Sequence, residues 1–359
     1  MKKSGYILLL LLVLLVPSGQ VMALTSSEPD EKEKVDVKDV IFSHIKDSYS
    51  WHLFSTNNRH FSIYLPVIVY SKEMGGWSAF SSRRLEHGAE YNGYHISETS
   101  GKVVYTNGEG TEVRPFDMSY TKVAMSLTIN ALLLLVIVLC CGRWYKRHNQ
   151  PSDKVPGGFV GFFEYVVTMV SDDIIKPGVG PEYKRYEPYL LSVFFFIIMS
   201  NLLGLVPVFP AGANVTGNIS ITMFLALCTF IAVNVFGNKE YWKEILWPDV
   251  PVFLKCPLPL MPLIEFFGIL TKPFALMVRL FANMMAGHVI ILSLTCVIFV
   301  TAPMGAAING SMTVVSILFM VFMNMMELLV AYIQAYVFTM LSSVFIGMSR
   351  PHGHMDKKE

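Results

Sequence analysis

Residues 278–288 read VRLFANMMAGH and place one arginine inside a long apolar stretch of the chain. The guanidinium of Arg279 keeps its proton at any accessible pH, so this side chain is charged wherever it lies. A charged side chain at the centre of a membrane helix costs about 2.5–3.5 kcal/mol on insertion scales. Leucine would avoid that cost, so the sequence predicts that Arg279 acts on a partner charge.

The composition is typical of an integral membrane protein. Of the 359 residues, 53% are hydrophobic and 15% are charged, and the formal net charge is +1. This balance argues against a soluble globular protein, and the near-neutral charge gives no reason to expect a nucleic-acid partner. The five cysteines form no CxxC pair and no cluster with histidine. We therefore expect neither a metal site nor a cofactor.

The first 116 residues are expected to lie outside the cytoplasm. Residues 1–23 combine a charged start, an apolar run and a small-residue cleavage site, which predicts a signal peptide, with an uncleaved anchor helix as the alternative. Residues 24–116 are polar and contain short β-like runs separated by Gly-Gly and Asn-Gly pairs. This pattern predicts a small exported domain that contains strands.

The following part of the chain, residues 117–350, is predicted to be embedded in the membrane. The apolar stretch 123–142 is long enough to span it, and the basic residues that follow favour a cytoplasmic location for that end. Residues 159–175 are amphipathic and are predicted to lie at the interface. Residues 189–209 and 219–237 are predicted to cross outward and back.

The last two apolar segments, residues 258–300 and 312–349, are about twice as long as a span requires. As helices they would measure about 64 and 57 Å at ~1.5 Å per residue, against a hydrocarbon core of ~30 Å. They must tilt steeply or break, and prolines in the first segment offer break points. Keeping both intact or splitting both leaves the basic tail, residues 351–359, in the cytoplasm, so charge counting leaves the two interpretations open.

Polar residues in the first long segment share a helical face with the arginine. At about 100° per residue, Glu265, Lys272 and Asn283 all project within about 40° of Arg279. His288 projects to the opposite side, so this helix would present its cation and its imidazole to different neighbours. Interface snorkelling or pairing is the structural alternative for Glu265 and Lys272, and helix–helix hydrogen bonding is the alternative for Asn283.

In the last segment, Glu327 and Gln334 are seven residues apart and share one face. Desolvation raises the pKa of a buried carboxylic acid, and histidine titrates near neutral pH, so both groups can exchange protons there. This chemistry favours ion translocation. The structural alternatives are a closed salt bridge between Glu327 and Arg279, and inter-helix hydrogen bonding by Gln334.

These residues resemble those of subunit a of the F-type rotary ATP synthases. The resemblance rests on residues 270–288, on the pair Glu327 and Gln334, and on residues 201–207 and 213–216, and it covers roughly residues 117–350. It implies an all-α membrane protein with five spanning helices and an interfacial amphipathic helix. The last two spans would then be long and tilted. The resemblance says nothing about the small strand-containing domain that the sequence pattern predicts before the membrane region.

The resemblance also implies a role for each candidate residue. Arg279 would face the c-ring carboxylate and keep two aqueous half-channels apart. His288 and Glu327 would supply an imidazole and an acid to the entry half-channel, and Glu265 would lie on the cytoplasmic one. The remaining candidates are Asn283 and Gln334, beside the arginine, and Asp117, as an entry aspartate.

Such a subunit is not an enzyme itself but carries protons in a bacterial inner membrane. Its implied partners are the c-ring, the b subunits of the peripheral stalk, the rest of the ATP synthase and the lipid bilayer. Two other function classes are a secondary ion-coupled transporter with its own substrate site and an intramembrane metalloenzyme. The first should show an inverted repeat and the second a recognisable ligand motif, and the sequence has neither feature.

Overall fold

The computed structural model describes residues 47–56, 59–97, 100–107, 110–147, 157–206, 214–246 and 260–349. The predicted signal peptide, residues 1–23, and the predicted cytoplasmic tail, residues 351–359, lie outside the described residues. Within the described part, strands occupy the chain up to Asp117 and long helices occupy the chain from Lys122 onward.

The strands form three small antiparallel sheets, ordered β1-β2, β4-β3-β8 and β5-β6-β7. Side chains alternate across β3, where Val67 and Val69 are fully buried while Ile68 is exposed. The buried side packs with Phe80, Tyr94 and other apolar residues into a core of its own. The bounds are β1 Ser50–Thr56, β2 Arg59–Tyr64, β3 Pro66–Ser71, β4 Gly76–Ser81, β5 Tyr94–Ile96, β6 Val103–Thr106, β7 Glu112–Val113 and β8 Phe116–Asp117, with a 3₁₀ turn at Ser82–Gly88 between β4 and β5.

The helices of the described residues include four that are long and apolar enough to cross a membrane, namely α1, α4, α7 and α8. A fifth apolar helix, α5, has 17 residues. The chain is therefore a mostly helical, multi-pass membrane protein with strands near its N-terminus. The bounds are α1 Lys122–Arg147, α2 Phe159–Val170, α3 Lys176–Val179, α4 Tyr183–Leu205, α5 Ile219–Val235, α6 Lys239–Leu246, α7 Leu260–Thr301 and α8 Ala306–Met348.

Each of the two long apolar segments forms one continuous helix. Helix α7 has 42 residues and contains Pro273 without ending there, and α8 has 43 residues. Helix α8 begins at Ala306, six residues before the start expected from the sequence at residue 312. The amphipathic segment is less regular, because α2 continues into a π-helical turn at Ser171–Ile175 before α3 begins.

The chain divides into two compact units, and the boundaries fall within α1, α4, α7 and α8 and between Val215 and Thr216. The first unit holds the described residues up to Asn130, with segments of Leu202–Val215 and with Ala286–Leu328. The second holds Ala131–Asn201, Thr216–Met285 and the chain from Leu329.

The second unit has its own apolar core, built mainly from α2, α4, α7 and α8. Leu190, Phe194, Leu280 and Ile346 are all fully buried within it. The chain around α3 passes so close to the end of α8 that a Cβ atom at Gly347 would overlap the carbonyl oxygen of Gly178. A side chain at Gly347 is therefore excluded by backbone atoms.

Candidate functional site

The first unit contains an acid–imidazole pair between α7 and α8. His288 Nδ1 lies 2.9 Å from Glu327 Oε1, and the Glu327 side chain is only 3% exposed while that of His288 is 21% exposed. Gly287 makes this approach possible, because a Cβ atom there would lie 2.8 Å from the carboxyl carbon of Glu327. The sequence predicted both titratable residues, and the family resemblance assigned them to one half-channel, but helical periodicity did not show that they would touch.

This pair is chemically suited to holding and passing a proton. The two groups can share one proton as a neutral acid with a neutral imidazole, or as a carboxylate with an imidazolium. Glu327 Oε2 is buried and has no hydrogen-bond partner in the part of the chain that the structure describes. A buried polar oxygen of this kind favours a further donor, such as water, on that side of the carboxyl group.

The second unit presents Arg279 on an exposed side of α7. Leu276, Leu280 and Met284, which flank this side of the helix, are buried, whereas Arg279 and Asn283 are exposed. The exposed side also carries small residues near the arginine, namely Ala275, Ala282 and Ala286. None of the ion pairs found among the described residues involves Arg279.

A cavity of about 150 Å³ in the second unit contains Glu265. Asn234, Tyr241 and Lys272 also line it, so the cavity has polar groups on several sides. Tyr241 Oη donates to Asn234 Oδ1 at 3.4 Å. Burial raises the pKa of the Tyr241 hydroxyl, and the negative charge of Glu265 raises it further. Tyr241 therefore remains a neutral hydrogen-bonding group beside the carboxylate.

A second depression in the same unit, of about 330 Å³, includes Arg279. Lys272 and Phe345 line both this depression and the Glu265 cavity. The Lys272 ammonium lies 5.5 Å from the centroid of the Phe345 ring, which is within the range of a cation–π contact. These two residues therefore mark the place where the polar cavity and the surface around Arg279 approach each other.

Gln334 is buried on α8. One turn before it, Ala331 takes part in a hydrogen-bonded connection between helices for which the sequence predicted no role. Asn201 Nδ2 on α4 donates to the Ala331 carbonyl oxygen at 3.3 Å, and Thr216 Oγ1 donates to Asn201 Oδ1 at 2.7 Å. Asn201 and Thr216 are both fully buried, so these bonds hold α4, α8 and the chain before α5 together. The sequence signals were an amide and a hydroxyl group within or beside apolar runs, and the position of both residues in segments 201–207 and 213–216, which carry the family resemblance.

Asp117 lies on β8 rather than on a helix. Its carboxylate accepts a hydrogen bond of 2.5 Å from Tyr49 Oη and another of 2.9 Å from the backbone N–H of Ser119. Burial by itself raises the pKa of Asp117, but hydrogen bonds from Ser119 and Tyr49 outweigh it and hold that pKa below its usual value. The structure therefore places Asp117 in a hydrogen-bonded position at the end of the strand region.

Comparison with known proteins bears directly on these residues. The family described as the ATP synthase A chain matches residues 125–347. The chain belongs to this family. A domain of unknown function, DUF8433, matches residues 40–122, which include the strand region. The ATP synthase A chain match thus contains every candidate residue named above except Asp117, which lies in the second match.

Curated relatives of the ATP synthase A chain family align over about two thirds of this chain or more. ATP synthase subunit a 2 of Chlorobaculum tepidum is 41% identical over 253 residues, which cover 67% of this chain and 66% of that protein. ATP synthase subunit a of Chloroherpeton thalassium is 39% identical over 246 residues, covering 67% and 69%. The Myxococcus xanthus subunit a is 36% identical over 280 residues, covering 75% and 87%.

Proposed function

We propose that this chain is the stationary proton-channel subunit of a rotary ATP synthase and is not itself catalytic. It would carry protons through two offset half-channels to and from carboxylates of a c-ring. The observation that carries this proposal is the exposed guanidinium of Arg279 on an apolar helix, without an ion-pair partner among the described residues. The family membership and the two polar sites in the same helices support it.

The surroundings of Arg279 suit contact with a moving neighbour. Small side chains at Ala275, Ala282 and Ala286 would let another helix approach the arginine closely. At a separation of ~4 Å and an effective dielectric constant of ~20, opposite unit charges attract by about 4 kcal/mol. That attraction would favour the ionised form of a rotor carboxylate when it faces Arg279. A carboxylate facing lipid would instead be protonated.

The two polar sites would serve opposite sides of the membrane. His288 and Glu327 would act in the entry half-channel, because their contact can accept and release a proton within an apolar region. Glu265, in the cavity with Asn234 and Tyr241, would act in the cytoplasmic half-channel. Asn283 and Gln334 would adjust the surroundings of the arginine, and Asp117 would stand near the entry side.

The same proposal assigns the topology and the partners. Helices α1, α4, α5, α7 and α8 would be five spans, with α2 at the interface, a signal peptide at residues 1–23, an exported domain at residues 24–116 and a cytoplasmic tail at residues 351–359. The basic residues that follow α1 support a cytoplasmic location for that end. The c-ring, the b subunits of the peripheral stalk and the other ATP synthase subunits would be its partners in a bacterial inner membrane.

Substitution of Arg279 tests the proposal. In inverted membrane vesicles, Arg279→Ala should abolish proton-driven ATP synthesis while the subunit still assembles with the complex. Arg143→Ala is a matched control, because Arg143 is also exposed and lies near the end of α1. We expect this control to retain synthesis. Normal coupling in an assembled Arg279→Ala complex would refute the proposed role.

A further inference from the structure

The sheet β4-β3-β8 has one buried side and one apolar exposed side. We call the exposed side the outer sheet face and define it as Ile68, Tyr70, Trp77, Phe116 and Met118. Of these, Trp77 is 62% exposed, Phe116 63% and Met118 60%. Such a concentration of exposed aromatic and apolar side chains indicates an interaction surface.

The strand register shows that these side chains form one continuous surface. Tyr70 pairs with Trp77 on β4 and with Phe116 on β8, which brings three aromatic residues into one row across the sheet. The rings of Tyr70 and Trp77 are 5.1 Å apart between centroids. The backbone N–H of Met118 donates to the Ile68 carbonyl oxygen, so the same pairing continues beyond β8.

This pairing continues to Tyr120, immediately before α1. The backbone N–H of Tyr120 donates to the Pro66 carbonyl oxygen at 3.1 Å. Although β8 ends at Asp117, the backbone N–H groups of Met118 and Tyr120, two residues apart, continue its pairing with β3. Alternate residues of such a paired segment present their side chains on one side, which groups Phe116, Met118 and Tyr120. Asp117, between them, contacts the buried Tyr49 on the other side of the sheet.

Tyr120 shows which way the outer sheet face is turned. Its hydroxyl group donates a 2.6 Å hydrogen bond to Thr128 Oγ1, which lies in α1. Thr128 is six residues beyond Lys122, the start of α1, or about 9 Å along the helix axis at ~1.5 Å per residue. The side of the strand that carries Phe116 and Met118 is therefore the side that reaches along the candidate membrane span.

The strand region is also fixed to the first turn of α1. The backbone N–H of Lys122 donates to the Ser48 carbonyl oxygen at 2.9 Å, and that of Val123 donates to Asp47 Oδ1 at 3.1 Å. The Lys122 ammonium lies 5.7 Å from the centroid of the Trp51 ring on β1. These contacts hold the strand region, through residues 47–51, at the start of α1.

We propose that the outer sheet face rests in the lipid headgroup region of the membrane that α1 spans. Tryptophan and tyrosine favour this region because each has an apolar body and a polar group that remains hydrated. Phe116, Met118 and Ile68 add apolar area that can enter the boundary with the acyl chains. The exported domain is thereby an interfacial anchor that fixes the orientation of α1 relative to the membrane surface.

The test measures lipid contact in the assembled complex. In a cysteine-free full-length chain, Met118→Cys carries an environment-sensitive fluorophore, and Thr111→Cys, also exposed but before β7 in another sheet, is the matched control. Nitroxide-bearing lipids of the vesicle should quench the fluorophore at position 118 and leave that at position 111 bright. Aqueous iodide should show the opposite preference.

A second variant tests the face itself. Adding Trp77→Glu to the labelled Met118→Cys chain should lower quenching by nitroxide lipid and increase quenching by iodide. Lys72→Glu, an exposed change just beyond β3, should leave both unchanged. Strong iodide quenching at position 118 in the chain that retains Trp77 would overturn the proposal. Shielding from both quenchers would also overturn it and would indicate a protein subunit on this surface.

Discussion

Replacement of Gly287 by alanine is the sharpest test of the acid–imidazole pair. The added Cβ atom would lie 2.8 Å from both the carboxyl carbon and Oε1 of Glu327. Non-bonded carbon atoms are most stable at about 3.5–4.0 Å, so the carboxyl group would have to move by about 0.7 Å or more. Oε1 is the atom that contacts His288, so the same movement disturbs the 2.9 Å contact.

The energetic effect follows from the loss of that contact. Hydrogen bonds to charged groups contribute about 1.5–3 kcal/mol, and each 1.4 kcal/mol corresponds to a tenfold change in an equilibrium. We therefore expect Gly287→Ala to lower the population of the paired arrangement by roughly tenfold to a hundredfold. If His288 and Glu327 act together on the proton path, the rate of proton transfer should fall with it.

ATP-driven proton pumping in inverted vesicles measures this effect, with the amount of assembled subunit as the reference. Gly310→Ala is the matched control, because a Cβ atom at Gly310, in the same unit on α8, meets no atom within 4 Å. The control should pump normally. Undiminished pumping by a fully assembled Gly287→Ala complex would refute the reasoning that the His288–Glu327 contact is needed.

Three further predictions concern packing and the strand region. Gly347→Ala should strongly reduce the amount of assembled subunit in membranes, because the new Cβ atom overlaps a backbone oxygen. Gly142→Ala is the control and should not reduce it, because a Cβ atom there meets no atom within 4 Å. Equal amounts of the two variants on immunoblots would contradict this prediction. Asn201→Ala should lower the free energy of unfolding by about 1–3 kcal/mol, because the buried Thr216 hydroxyl group loses its acceptor. The purified complex should then be inactivated at a lower temperature. The pKa of the Asp117 carboxyl group is lower in the folded protein than in the unfolded chain. The ionised carboxylate therefore stabilises the fold at neutral pH, and this stabilisation is lost as the pH falls below the ordinary pKa of an aspartate and through the lowered pKa of the folded state. Asp117→Asn should therefore weaken the strand region at neutral pH and flatten this acid dependence, and protease sensitivity of that region in membrane vesicles at a series of pH values measures both.

The sequence was most informative where one residue carried a large energetic penalty. Arg279 could be identified as a candidate functional residue because a permanent charge in an apolar helix has a high energetic cost. The angular projection then placed Asn283 on the same side of the helix. In the structure both are exposed on α7. The length of the two apolar segments likewise indicated either very long helices or broken ones, and the structure has two continuous helices.

Relations between different elements could not be obtained in the same way. Helical periodicity gives the face of a residue on its own helix, but the contact of His288 with Glu327 depends on how α8 is positioned along α7. Gly287 permits that position of α8. A glycine within a helical pattern can occur for several reasons, so the sequence by itself did not identify it as the site of a close helix contact. The cavity around Glu265 depends similarly on Tyr241 in α6, a short helix in residues 238–257, where the sequence predicted only a cytoplasmic loop.

The exposure of Arg279 limits what kind of protein this chain can be by itself. An arginine that stabilised only its own subunit would be paired internally, because a buried ion pair with one partner missing is destabilised by about 3–5 kcal/mol. The arrangement around Arg279 is instead open, with small residues beside it and with Leu276 and Leu280 buried on one flank of the helix. A carboxylate from outside the chain would complete such a site without any change in its backbone. A rotor that presents successive carboxylates would complete it repeatedly, and only a side chain that never releases its proton could meet each of them without passing the proton on.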